Sequence, residues 1–219
     1  PQKFLLQLAA AVAFLCLMRY EGMLSPNLYI PFFNTHLVLP WVVYMIFAAF
    51  VIIGTVNAVN ITDGVDGLSS SVTVPVAVFF AVLGGLWQGC SQLGVFAGAL
   101  VGGLLGFLFY NHYPAKVFMG DTGSMFIGGA VVGMAMLLRQ PFLLLLIGFT
   151  CCMSSVSVIL QRYYYKATRK IYGTPRRLFK MSPLHHHFEK CGMKETQIVL
   201  MYTVVTLVLT ALAVISVIV

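Results

Sequence analysis

The chain has 219 residues, of which 60% are hydrophobic and only 9% charged, and its formal net charge is +7. Long uncharged runs from end to end exclude a soluble domain and place it among polytopic helical membrane proteins. The basicity is concentrated in residues 162–194, which hold nine of the thirteen Lys and Arg residues, so it excludes a nucleic-acid surface and fits a loop on one face of a bilayer.

Crossing hydrocarbon as a helix takes about 17 to 25 apolar residues, because lipid offers no partner to a free backbone N–H or C=O. In chain order the predicted spans are residues 4–18, 37–56, 72–87, 93–110, 124–138, 142–161 and 198–219, an all-α, polytopic fold of about seven membrane helices in one membrane-embedded domain, residues 1–219. Residues 21–36 carry Pro26, Asn27, Pro31 and Asn34 and read as an irregular surface excursion or a small hairpin. Pro141, just after Arg139 and Gln140, marks a tight connection. Glycines crowd residues 94–106 and 123–133, where they are expected to let helix backbones approach. The five cysteines, Cys16, Cys90, Cys151, Cys152 and Cys191, are odd in number and lack metal-ligand spacing, which predicts packing roles. No signal-peptide pattern precedes the first span, and a start at Pro1 without methionine suggests processing or truncation.

The positive-inside rule places residues 162–194 in the cytoplasm. Alternation then puts the turn at residues 139–141, residues 88–92 and residues 19–36 outside, and residues 111–123 and 57–71 inside. Asp63, Asp66 and Asp121, half of the six acidic residues, therefore collect on the cytoplasmic face with His185, His186 and His187.

Three polar clusters interrupt the apolar pattern. In the first, Asn57 to Leu68, two carboxylates three residues apart are each followed by glycine, offering acceptors to a cation or to ligand N–H groups; helix capping by Asp63 or Asp66 explains the same residues. In the second, Tyr110 to Ser124, Asp121 lies between glycines at the mouth of a helix. Its N-terminal N–H groups favour phosphate, and a carboxylate beside phosphate calls for a bridging divalent cation; a cap is again the plain alternative. The third runs from Arg176 to Glu189, where cations beside imidazoles can neutralise a diphosphate and an anionic lipid headgroup. A solvated positive-inside loop accounts for its Lys and Arg but not for three consecutive histidines.

The stretches Asn60-Ile61-Thr62-Asp63-Gly64-Val65-Asp66-Gly67-Leu68, Val117-Phe118-Met119-Gly120-Asp121-Thr122-Gly123-Ser124 and Pro183-Leu184-His185-His186-His187-Phe188-Glu189 together resemble the motifs of the phospho-N-acetylmuramoyl-pentapeptide transferase family, within the polyprenyl-phosphate N-acetylhexosamine-1-phosphate transferases. The resemblance runs through all 219 residues. It implies a bacterial inner-membrane enzyme of peptidoglycan biosynthesis, active on the cytoplasmic face. Such an enzyme transfers phospho-MurNAc-pentapeptide from its UDP carrier to undecaprenyl phosphate, giving lipid I and UMP. It implies Mg2+ on Asp121, with Asp63, His185 and His186 catalytic beside Asp121. Asn60, Gly64, Asp66, Asn111, Phe118 and His187 would bind substrate, with Phe118 stacking on the uracil and Lys180 or Arg177 adding charge. The family carries an adjacent aspartate pair and a lysine in an earlier cytoplasmic loop. No Asp precedes Asp63 here, so the chain is expected to form the C-terminal two thirds. A GlcNAc-1-phosphate transferase and, from another class, an ion-coupled transporter are the competing readings; the apolar outer surface allows a homodimer.

Overall fold

The structure, a computed structural model, describes residues 2–33, 35–87 and 89–218; Pro1, Asn34, Gln88 and Val219, which the readings above include, lie outside the described residues. Helix α1 (Gln2–Tyr20) leads into a two-stranded antiparallel hairpin, β1 (Asn27–Ile30) and β2 (Thr35–Val38), registered with Asn27 opposite Val38 and Ile30 opposite Thr35. Then come α2 (Trp41–Thr62), α3 (Leu68–Leu86), α4 (Ser91–Asn111) and α5 (Gly120–Leu137). A short 3-10 turn (Pro141–Leu143) and α6 (Leu144–Ile147) precede α7 (Phe149–Tyr172), α8 (Leu184–Lys190) and α9 (Glu195–Ile218). Six of the described helices are long and apolar enough to cross a membrane, and α6 with α7 makes a seventh if the bent pair is one span.

Three departures from the sequence reading have local causes. The second span begins at Trp41 and runs to Thr62, because Pro40 cannot continue the ladder before it and Asp63-Gly64 follows it. The span expected over residues 142–161 is broken by 83° at Gly148, where a methyl group would meet the Leu144 carbonyl oxygen at 2.7 Å. The supposed basic loop is largely helical: α7 continues to Tyr172 before an αL Gly173 ends it, and the histidines form α8.

Helix α3 is the axis of the bundle. It buries Leu68, Val72, Val76, Phe79, Phe80 and Leu83 against neighbours that include α4 and α9, with Tyr44 of α2 in the same core. In lipid such association rests on close packing rather than on escape from water. Two contacts use glycine for that closeness. A methyl on Gly84 would lie 2.4 Å from the Gly94 nitrogen, and one on Gly128 would lie 2.8 Å from the Val56 Cα, so α3 meets α4 and α2 meets α5 almost backbone to backbone. Gly98, Gly102, Gly103 and Gly106 face open space, so among the described residues the expected packing role falls on Gly94 and not on these. The α2–α5 contact fixes the end of α2 beside the start of α5, where the polar clusters meet.

Candidate active site

The last turn of α2 delivers Asn60 and the first turn of α5 delivers Asp121 to one end of the bundle. Asn60 donates through Nδ2 to Asp121 Oδ1 at 3.0 Å and to the Ser124 hydroxyl at 2.9 Å. Lys3, at the head of α1, places its ammonium 3.0 Å from Asp121 Oδ2 and 3.2 Å from Asn60 Oδ1. Asp63 follows the last helical residue of α2; burial first, and then the charge of Asp121, push its carboxyl up to about 6. The N-cap positions of α3 and α5 are held by Gly67 and Met119, neither with a side-chain cap bond, so the structure does not use Asp63, Asp66 or Asp121 as a helix N-cap. Asp121 is largely exposed and sits where the α5 dipole favours an anion.

The second motif is tied to the first through Asn111 and Asp66. Buried Asn111 accepts the Gly67 N–H through Oδ1 at 3.1 Å and donates to the Val117 carbonyl at 2.8 Å, while Asp66 Oδ2 accepts the Ala115 N–H at 2.9 Å. Gly67 is left-handed, with φ +73°, which lets the chain turn from Asp66 into α3. These bonds fix residues 111–119, and Phe118 at the end of the segment is 74% exposed, free to stack on a planar ligand.

The histidines divide into three environments. His185 is fully buried, and neither ring nitrogen has a protein partner. Burial, reinforced by neighbouring His186, holds its pKa down to about 4, so the ring is neutral at pH 7. His186 Nδ1 pairs with Glu189 Oε2 at 2.9 Å. His187 Nδ1 accepts the Lys180 N–H at 3.1 Å and turns toward the preceding loop instead of the carboxylates. A methyl on Gly64 would stand 2.6 Å from His185 Nε2 and 3.2 Å from His186 Nε2, so the absence of a side chain there brings the histidine helix against the aspartate segment. Gly64→Ala is therefore expected to displace α8. Its melting temperature should fall by roughly 4–8 °C and any turnover should fall at least about tenfold. Unchanged melting and activity would show that the two segments do not need this contact.

Lys3 is a site residue that the sequence reading missed. Its only sequence signal is a single cation heading an otherwise apolar run, and nothing but the fold brings it to Asp121, 118 residues away. The three aspartates and the histidines share one end of the bundle, which disfavours a carboxylate path across the membrane.

No group of three or more His, Cys, Asp or Glu side chains poised for a metal occurs among the described residues. The donor set nevertheless fits magnesium, which binds through one or two carboxylates and takes its other ligands from phosphate and water. Two oxygens, Asp121 Oδ2 and Asn60 Oδ1, already converge on the Lys3 ammonium, and that ion pair is exposed enough to exchange readily.

A multi-pass membrane protein that gathers carboxylates and imidazoles at one end of its bundle is equipped to handle phosphate. Residues 1–139 match the model of Glycosyl transferase family 4, and the chain belongs to that family. It is 44% identical over 219 residues to the phospho-N-acetylmuramoyl-pentapeptide-transferase of Clostridium acetobutylicum, covering 99% of this chain and 66% of that protein. The same-named proteins of Clostridioides difficile and Listeria innocua are 42% and 43% identical, with 99% and 92% of this chain aligned to 65% and 60% of theirs. The chain thus spans a little under two thirds of the length of the curated relatives it matches.

Proposed function

We propose that this chain carries the active site of a phospho-N-acetylmuramoyl-pentapeptide transferase, moving the phospho-sugar of UDP-MurNAc-pentapeptide onto undecaprenyl phosphate with release of UMP. The observation that carries the reading is the meeting of Asn60, Asp63 and Asp121 with His185 across Gly64 at one end of a membrane bundle. In the reaction an acceptor phosphate oxygen bonds to the sugar-linked phosphorus as the phosphoanhydride bond to UMP breaks. Positioning and charge neutralisation do most of the work in such transfers.

Asp121, beside Asn60, would hold Mg2+. When bound, the ion neutralises charge on the donor diphosphate. Asp63, at the end of α2 beside Gly64 and with its carboxyl pushed up to about 6 by burial and by Asp121, is placed to exchange a proton with the acceptor phosphate, whose second proton also leaves at about 6. Neutral His185, which has one N–H to donate, and His186 beside it serve as hydrogen-bonding partners for phosphate oxygens. Gly64 allows close approach, Phe118 stacks on uracil, and Asp66 with Asn111 holds the segment that presents it. His187 contributes through the loop that it secures. These residues lie in one membrane-embedded domain, residues 1–219, on the cytoplasmic side of the bacterial inner membrane, in a chain that spans a little under two thirds of its relatives' length. The apolar outer helix faces meet the bilayer and are compatible with a pair of copies.

The test is UMP release by the purified protein in detergent with undecaprenyl phosphate and magnesium, offered UDP-MurNAc-pentapeptide or UDP-GlcNAc. Release with the muramoyl donor alone is expected; preference for UDP-GlcNAc would overturn the substrate assignment.

A further inference from the structure

Between α7 and α8 the chain runs without regular structure through Arg176, Arg177 and Lys180, three cations within five residues that repel one another. Such a segment would ordinarily splay into solvent, yet its backbone is held at several points. The Gln161 side chain accepts the N–H groups of Leu178 at 3.1 Å and Phe179 at 2.9 Å through Oε1, and donates to the Phe179 carbonyl at 3.2 Å. Two turns further along α7, the buried Thr168 hydroxyl accepts the Arg176 N–H at 2.9 Å. The far end is fastened to α8: His187 takes the Lys180 N–H, the Phe179 and His187 rings meet edge to face at 5.5 Å, and Lys180 Nζ donates to the Lys190 carbonyl at 3.2 Å.

Residues seven apart lie on one face of a helix. The loop therefore runs back along α7, with residue 176 beside Thr168 and residues 178–179 beside Gln161. A side-chain amide that satisfies three backbone groups of a distant segment acts as a splint.

We infer that Gln161 and Thr168, with His187 as the latch on α8, are positioning residues that clamp the cationic loop against α7 and hold Arg176, Arg177 and Lys180 in register with the histidine helix. Resting on the transferase reading, the purpose of the clamp is to present preorganised positive charge to the diphosphate of the donor. Gln161 and Thr168 touch loop backbone, and their effect on the reaction passes through the loop.

Limited trypsin digestion of the full chain in detergent, with cleavage sites mapped by mass spectrometry, reads the clamp without any turnover. Gln161→Leu should speed cleavage after Arg176, Arg177 and Lys180 at least about tenfold, because proteolysis tracks local opening. Thr168→Val should act in the same direction and more weakly. Gln161→Glu keeps the oxygen acceptors for Leu178 and Phe179 and should restore protection to within about threefold of the wild type. With the muramoyl donor, Gln161→Leu should raise KM about tenfold while kcat stays within about threefold.

Unchanged loop cleavage in Gln161→Leu overturns the proposal, and a KM effect without a cleavage effect would place Gln161 on the donor itself. Cleavage that rises equally at Arg139 would mean general loosening and also overturns it; if Gln161→Leu fails to fold, Thr168→Val carries the test, and unchanged loop cleavage in that variant overturns the proposal. Loop cleavage that responds as expected in a protein that turns over no UDP-sugar would leave the clamp standing and remove the transferase reading.

Discussion

Asp121→Asn should leave the fold intact and reduce magnesium-dependent UMP release by about a hundredfold to a thousandfold, the scale of losing one preorganised electrostatic group. The substitution keeps the shape of the side chain and an oxygen for Asn60 Nδ2, which donates to Asp121 at 3.0 Å. Asp121 is largely exposed, so melting should move by no more than about 2 °C. What is lost is the anionic oxygen on which the Lys3 ammonium now sits and on which a divalent cation would be held. The check is a magnesium titration of UMP release for wild type and variant, alongside melting curves. Near-normal turnover at saturating magnesium would sink the metal assignment.

Replacing His185 is expected to act on both turnover and stability, and the stability effect has a sign that can be worked out. The folded-state pKa of His185 is held near 4, below its ordinary 6.5, by burial and by His186. Between those values the unfolded chain binds a proton that the folded chain refuses, so this group lowers stability as pH falls through that window. Asp63 acts in the opposite sense. Its pKa is raised by burial and by Asp121 from 3.8 to about 6, so the folded chain keeps a proton that the unfolded chain releases, and stability falls as pH rises through that window. Each contribution reaches about 3 kcal/mol at most, smaller for Asp63, which is only partly covered.

The two windows overlap, so the pair largely cancels in the wild-type protein between pH 4.5 and 6. His185→Asn should unmask Asp63 and make the protein more stable toward acid, whereas Asp63→Asn should unmask His185 and make it less stable toward acid. Melting temperatures of the three proteins at pH 4.5 and 7 should diverge by roughly 5–10 °C; parallel profiles would refute the opposed titrations. In turnover, His185→Asn should cost about a hundredfold, within the range for losing a positioned imidazole. A mild effect would return α8 to a structural role.

Much of the site was legible because its residues are written in short contiguous runs. Asn60, Asp63, Gly64 and Asp66 lie within seven residues, Phe118, Asp121 and Ser124 within another seven, and the histidines are adjacent. Long apolar runs likewise announce spans, since a backbone in lipid has few structures open to it. Lys3 and Gln161 were not legible. A lone cation at the head of an apolar run and a glutamine at the end of one carry no local pattern, and their meaning comes from partners 118 and 18 residues away. The bend at Gly148 and the helix made by the histidines were hidden too, because hydropathy measures how apolar a segment is and not whether its axis is continuous.

By itself the sequence determined that this protein lives in a membrane, that its polar chemistry gathers at span ends, and which carboxylates and imidazoles are available for it. All of these follow from composition and short-range spacing, which solvation dictates without reference to distant residues. Only the tertiary structure decided how the three histidines differ, with one buried and unpartnered, one paired with Glu189 and one fastening the basic loop. Adjacent, chemically identical residues can be told apart only by what the fold packs around each of them. Here that was settled by close helix contacts and by a glycine small enough to let α8 in.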